Sequence, residues 1–405
     1  MANLAINGGT PLYQRGEYKH MSPWPPVNEE TADRIRELYL SRAWSFNSKC
    51  EQDFENEFAR MHDAAYAIFM VNGTVTLEAA LAALGVGPGD EVIIPAITWI
   101  ATAMAVKYVG AKIVMADIDP ETVTLDPASF AAAITPKTKA VIPVHLYGSM
   151  ADLEKICAIA AEHGIAVVED CAHMQGGKWA GRGVGTWGSV GSFSFQQSKM
   201  LSGGEGGMCI TNDPNLAERL YRFKHIGYSR YDRQGTAATP PPEGLVCHNY
   251  RGQAFSALAL SGQLPGLPGV LERCEAYRRR FCEKVADIPG LRVQKQGRLA
   301  TRQGYYGFTV MLDGGPWLQA DPAKIWPALE AEGVPFEFNY GPVYRHRLFN
   351  LGAADYRLPE GGCPTADGIY QRMMTIKHYN MYYPEEADKF AAVIRKLADN
   401  VGELC

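Results

Sequence analysis

Lys199 is the one basic side chain in SFSFQQSKMLSGGEGG (192–207), set between a strand-like run and a cluster of glycines. Most lysines are solvated, so alone it reads first as a surface residue and only second as an amine held to attack a carbonyl. Asp170 ends the almost wholly apolar run AVVED, where a carboxylate is costly to bury without a cationic or donor partner. A protonated heteroaromatic nitrogen would be such a partner. His173 follows three residues later and by itself reads as a hydrogen-bonded structural histidine. Asn72-Gly73-Thr74 turns from a buried strand into a helix, which makes either a plain N-cap or an anion site of backbone N–H groups and the Thr74 hydroxyl. Trp99, two residues after EVIIPAI, is either core packing or a flat face for a planar ligand. Ser194 precedes Lys199 by five residues.

Each feature has a bland reading; in this chain order they describe one site. An anion cradle, a flat aromatic, a strand-end carboxylate and a lysine are what pyridoxal 5'-phosphate requires. Its phosphate needs donors, its pyridinium nitrogen needs an acid, and its aldehyde needs an amine to form a Schiff base. GVGTWG (183–188) fits a dinucleotide fingerprint in letters only. It precedes a strand instead of following one, so it reads as a loop.

The elements that must position these residues are legible as seven short apolar runs at 65–71, 91–97, 112–118, 139–146, 165–170, 189–195 and 207–212. Most are continuously apolar, as strands buried on both faces of a parallel sheet are, and helix-length segments alternate with them. This predicts a large α/β domain with its ligand outside the carboxyl ends of the strands. Before it, SPWPP (22–26) predicts an extended arm, and NEETADRIRELYLSRA a helix capped by Asn28. After it come a proline-rich loop (235–244) and a long helix from about Phe255 to Ala286, open to interruption at PGLPG. A smaller α+β region follows, with a strand at YYGFTVML, a helix containing Pro327 and a final amphipathic helix. The expected division is 1–60 for arm and helix, 61–255 for the large domain, and 256–405 for the connecting helix and small domain.

Composition bounds the rest. A chain of 405 residues with 47% hydrophobic content can bury a large core, and a net charge of -5 argues against nucleic acid as partner. Nine scattered cysteines without a Cys-x-x-Cys pair, and an amino-terminal stretch without an apolar signal core, predict a cytoplasmic protein with free thiols and no metal site. No apolar run approaches membrane-spanning length.

The stretches INGGTPL, GVGPGDEVIIPAITWIATA, VVEDCAHMQGG, SFSFQQSKMLSGGEGG and NYRGQAFSALALSGQL resemble the pyridoxal-phosphate-dependent sugar and cyclitol aminotransferases. The resemblance spans nearly the whole chain. It implies the aspartate-aminotransferase fold (PLP fold type I), with a seven-stranded, mostly parallel sheet between helices. It also implies roles: Lys199 for the Schiff base and proton shuttling, Asp170 for the pyridine nitrogen, and His173 for the phenolic oxygen of the cofactor. Trp99 is implied for stacking, Gly73, Thr74 and Ser194 for the phosphate, and Asn249 and Arg251 for the phosphate of a partner subunit, hence a homodimer with shared sites. Where the family commonly carries an acid three residues after that arginine, this chain has Ala254. PAITWIA, VYRHRLFNLG and TIKHYNMYY look closest to the branch that acts on keto-cyclitols or makes aminohydroxybenzoate. The implied activity is transfer of an amino group from L-glutamine or L-glutamate to a keto-cyclitol in aminoglycoside-type biosynthesis. Alternatives are a nucleotide-linked keto-sugar acceptor, a lyase or dehydratase of the 3-amino-5-hydroxybenzoate synthase type, and a non-catalytic regulator on the same fold. Tyr340, Tyr344, Arg345 and His378 are candidates to line the acceptor pocket, each equally readable as a structural residue.

Overall fold

The structure is a computed structural model that describes residues 3–14, 24–46, 48–233 and 235–405. Ser22 and Pro23 of the expected arm therefore lie outside the described residues. Asn28 caps helix α1 (Glu29–Ser41) by accepting the Thr31 N–H at 2.8 Å. Helix α2 (Lys49–Met61) follows.

All seven apolar runs form strands of one sheet: β1 (Tyr66–Met70), β2 (Glu91–Pro95), β3 (Lys112–Ala116), β4 (Thr138–Val141), β5 (Ala166–Asp170), β6 (Val190–Ser194) and β7 (Gly207–Thr211). Their order is β1-β7-β6-β5-β4-β2-β3, and only β7 runs against the others. Every residue of β2, β6 and β7 is buried, as expected for strands covered on both faces. An eighth strand, Tyr356–Arg357, comes from far down the chain and pairs in parallel with β3 at the sheet edge. Its two residues are too few to leave a sequence pattern.

Helix α3 (Gly73–Ala83) is apolar on nearly all sides and lies in the interior against α4 (Ile100–Tyr108), β6 and β7. A second, antiparallel sheet of four strands has the order 291–293, 307–312, 373–377, 337–338. The loop after β4 meets the second sheet closely at Gly148, where a Cβ would stand 2.6 Å from the Gly307 carbonyl oxygen.

The stretch Ala254–Val285 qualifies the reading that no segment could span a membrane, since its most apolar window reaches a mean hydropathy of 1.2. It is broken at Leu264–Gly266, near the expected PGLPG interruption, and its second helix packs against the C-terminal helix Ala387–Asp399. All nine cysteines are free.

Candidate active site

The carboxyl ends of β1, β5 and β6 face one cavity of about 600 Å3. Asn72 caps α3 by accepting the Val75 N–H at 2.9 Å, so the helix begins at Gly73 with its positive dipole end toward the cavity. A Cβ on Gly73 would lie 2.6 Å from the Ser194 Cβ. Only glycine lets the helix start lie against the end of β6, which brings Gly73, Thr74 and Ser194 together. Gly207 is constrained in the same way, because a Cβ there would stand 2.4 Å from the Asn72 carbonyl oxygen. The glycine cluster after Lys199 thus lets β7 pass beside the cradle.

Asp170, at the end of β5, is buried and accepts hydrogen bonds from the Thr102 hydroxyl at 2.9 Å and the Ala172 N–H at 3.2 Å. Burial raises its pKa against the pull of these donors and of Lys199. A buried carboxylate facing a cavity under that strain suits a cationic partner. Lys199 is also buried, and burial lowers its pKa; Tyr306 opposes that and Lys377 adds to it. Its ammonium lies 4.4 Å from the centre of the Tyr306 ring. Trp24 donates its indole N–H to the Lys199 carbonyl at 3.2 Å.

His173 accepts the Tyr147 N–H on Nδ1 at 3.2 Å. Burial holds its pKa well down, so the ring is neutral and its proton sits on Nε2, available to donate. Trp99 is not core: it precedes α4, is 46% exposed, and meets Tyr340 at 5.3 Å and His346 at 5.7 Å between ring centres.

Gly73, Thr74, Trp99, Asp170, His173, Ser194 and Lys199 all line this cavity, whereas Asn249 and Arg251 do not. Asn249 bridges to His225 and Arg251 to Met70 at the end of β1. Of the pocket candidates, Tyr340 lines the cavity, while Tyr344 and Arg345 lie elsewhere. His378 is buried, with Nε2 2.9 Å from the Ser198 carbonyl oxygen, an anchoring contact. A larger groove of about 860 Å3, walled by Trp326, Leu348 and Met374, takes in Arg345 but none of the nine residues expected to bind the cofactor.

Sequence reasoning missed Thr102, Tyr306, Glu337 and Lys377. Thr102 lies one helical turn after Trp99, a spacing that could have flagged it. The other three come from the second sheet, where nothing in their local pattern points to the distant Lys199. The GVGTWG loop holds an anion of its own: the buried Glu169 carboxylate accepts the N–H groups of Gly185, Trp187 and Gly188 at 2.7–2.8 Å. That occupies the backbone donors a phosphate would use.

A family model described as the DegT/DnrJ/EryC1/StrS aminotransferase family matches residues 25–395. The chain belongs to this family. Within it, the chain is 38% identical to the L-glutamine:2-deoxy-scyllo-inosose aminotransferase of Streptomyces kanamyceticus, over 93% of this chain and 92% of that protein. Among solved structures, 3-amino-5-hydroxybenzoic acid synthase superposes with a TM-score of 0.85 at 29% identity, covering 94% of this chain and 98% of that one. DesV of S. venezuelae, in complex with a ketimine intermediate, gives 0.81 at 30% identity over 91% and 94% of the two chains. The DegT/DnrJ/EryC1/StrS chain therefore has the PLP fold type I expected of it, and it is an aminotransferase.

Proposed function

We propose that the protein uses pyridoxal 5'-phosphate to move an amino group from L-glutamine or L-glutamate to a keto-cyclitol such as 2-deoxy-scyllo-inosose. The observation that carries this is the convergence of Lys199, Asp170 and the start of α3 on one cavity. The residues fit the cofactor: Gly73 and Ser194 meet too closely for a Cβ, which holds the start of α3 and the end of β6 side by side on the cavity wall, and Asp170 is a buried carboxylate in need of a cation. Bound there, the cofactor supplies an electron sink for the carbon that loses its proton and carries the amino group between donor and acceptor.

Lys199 anchors the cofactor and, once released, takes and returns that proton at Nζ. Its lowered pKa keeps more of the amine neutral near pH 7, as a general base requires. Asp170 holds the proton on the ring nitrogen. Thr102 keeps the Asp170 carboxylate aimed into the cavity. His173 donates from Nε2 to the phenolic oxygen, Trp99 offers a flat face, and Gly73, Thr74 and Ser194 receive the phosphate. The presence of Lys199 favours transfer over dehydration.

The same reading takes the protein as a homodimer in which Asn249 and Arg251 serve the partner's site, which their position away from this cavity supports. It divides the chain at 60 and 255 as above. Nine free cysteines support a cytoplasmic location.

The test is a half-reaction. Cofactor-loaded protein is mixed with L-glutamine, loss of the visible absorbance is followed, and 2-deoxy-scyllo-inosose is then added and the amino product weighed by mass spectrometry. Unchanged absorbance with both L-glutamine and L-glutamate would overturn the proposal.

A further inference from the structure

Lys377 is the second lysine of the cavity, and no role in the chemistry above requires it. It is buried at the end of the strand Met373–Lys377, opposite Gly307, a register that sets it beside Tyr306. Its ammonium lies 3.6 Å from the centre of the Tyr306 ring, the same ring that carries Lys199. Its ion-pair partner is Glu337, 3.2 Å away on the neighbouring strand. Glu337 is 38% exposed, whereas Lys377 is 7% exposed.

An amino donor must bring its amine to the position that Lys199 serves. In an α-amino acid the carboxylate is attached to the same carbon as that amine, so it must lie close by. Burying it there is costly unless a cation receives it. Among the described residues lining the cavity, Lys377 is the only candidate. Lys199 is committed to the chemistry, His173 is held neutral, and His145 faces Glu169 and accepts the Ala151 N–H. Arg345 lies outside the cavity, and Arg251, which in the reading above serves a partner's site, is there committed to the cofactor phosphate.

We propose that Lys377 receives the carboxylate of the amino donor, and that Glu337 is the counter-ion it leaves when the donor arrives. This rests on the aminotransferase reading above. A partly exposed carboxylate is well suited to be displaced, because water solvates it once the lysine turns away.

The probes are glutaramate, which is glutamine without its amino group, and neutral glutaramide. Neither can react, so calorimetry on the cofactor-loaded protein reads binding alone. The wild type should bind glutaramate at least about tenfold more tightly than glutaramide, the loss expected when a charge-assisted hydrogen bond is absent. Lys377→Gln should erase that preference while leaving glutaramide binding unchanged. Lys377→Arg, which keeps the charge should the glutamine variant fold poorly, should retain part of it. Glu337→Gln should tighten glutaramate binding by removing its competitor. An undiminished preference in Lys377→Gln, no preference in the wild type, or weaker glutaramate binding in Glu337→Gln would overturn the proposal. A wild type that prefers glutaramate yet reacts with neither L-glutamine nor L-glutamate would overturn the transfer reading instead.

Discussion

Tyr306 lies flat on His173, with ring centres 3.8 Å apart and planes within 12° of parallel. The stack joins a residue of the first sheet's loops to one that enters the second sheet. The same ring has two ammonium groups beside it, those of Lys199 and Lys377. Burial works to raise the Tyr306 pKa, but Lys199 and Lys377 outweigh it and bring the phenol down to about 8.

That value predicts a pH signature in the cofactor-free protein. A tyrosinate absorbance should appear with a midpoint near pH 8 and be absent in Tyr306→Phe. An unfolded chain keeps this proton until about pH 10. Between about 8 and 10 the unfolded state therefore binds more protons than the folded one, and stability from this residue rises with pH. Denaturant titrations of wild type and Tyr306→Phe across that range should diverge upward for the wild type.

Lys199→Ala should lose amino transfer by about 10²-fold or more, the scale of a missing proton-transfer group. The variant should keep its unfolding temperature, since it removes a buried amine whose pKa the fold already depresses. Single-turnover mixing with L-glutamine checks the first point and calorimetric scanning the second.

Thr102→Val removes the side-chain donor to Asp170 while preserving shape. Leaving that carboxylate with one bond fewer costs about 1–3 kcal/mol. The Asp170 pKa should rise further, and cofactor affinity should fall because its negative charge is held less firmly. Titration with pyridoxal phosphate at several pH values checks this, with the largest deficit expected at low pH.

Gly73→Ala places a methyl group 2.6 Å from the Ser194 Cβ. Either α3 or the end of β6 must shift, at a cost of about 1–3 kcal/mol. Phosphate-bearing ligands should bind more weakly, and added inorganic phosphate should stabilise the variant less than the wild type in thermal unfolding.

Glu169→Ala would leave three backbone N–H groups of the 185–188 loop without their acceptor. Each unsatisfied donor costs about 1–3 kcal/mol, so a large fall in unfolding temperature is expected even though the residue does not line the cavity.

The seven strands were legible because burial on both faces writes continuous apolar runs, and Lys199 and Asp170 because charge is rare at the ends of such runs. Gly73 was readable as a turn but not as a steric necessity, since Ser194, which demands it, is far away in the chain. Tyr306, Glu337 and Lys377 were illegible for a related reason. Each sits in an ordinary antiparallel strand or at its end, and only the pairing of Gly307 with Lys377 and the packing of that sheet on His173 gives them a common place. Trp99 could not be decided from sequence, because an aromatic after a buried strand suits a core as well as a rim.

The two-residue strand Tyr356–Arg357 has a consequence for the whole chain. It occupies the hydrogen-bonding edge of β3, and beside it Lys107 of α4 forms an ion pair with Asp355. A chain ending after β7 would present β3 as a bare template for another molecule's strand. The last third of the sequence thus acts as a seal on the first sheet, and a truncated protein should self-associate through that edge instead of remaining monodisperse.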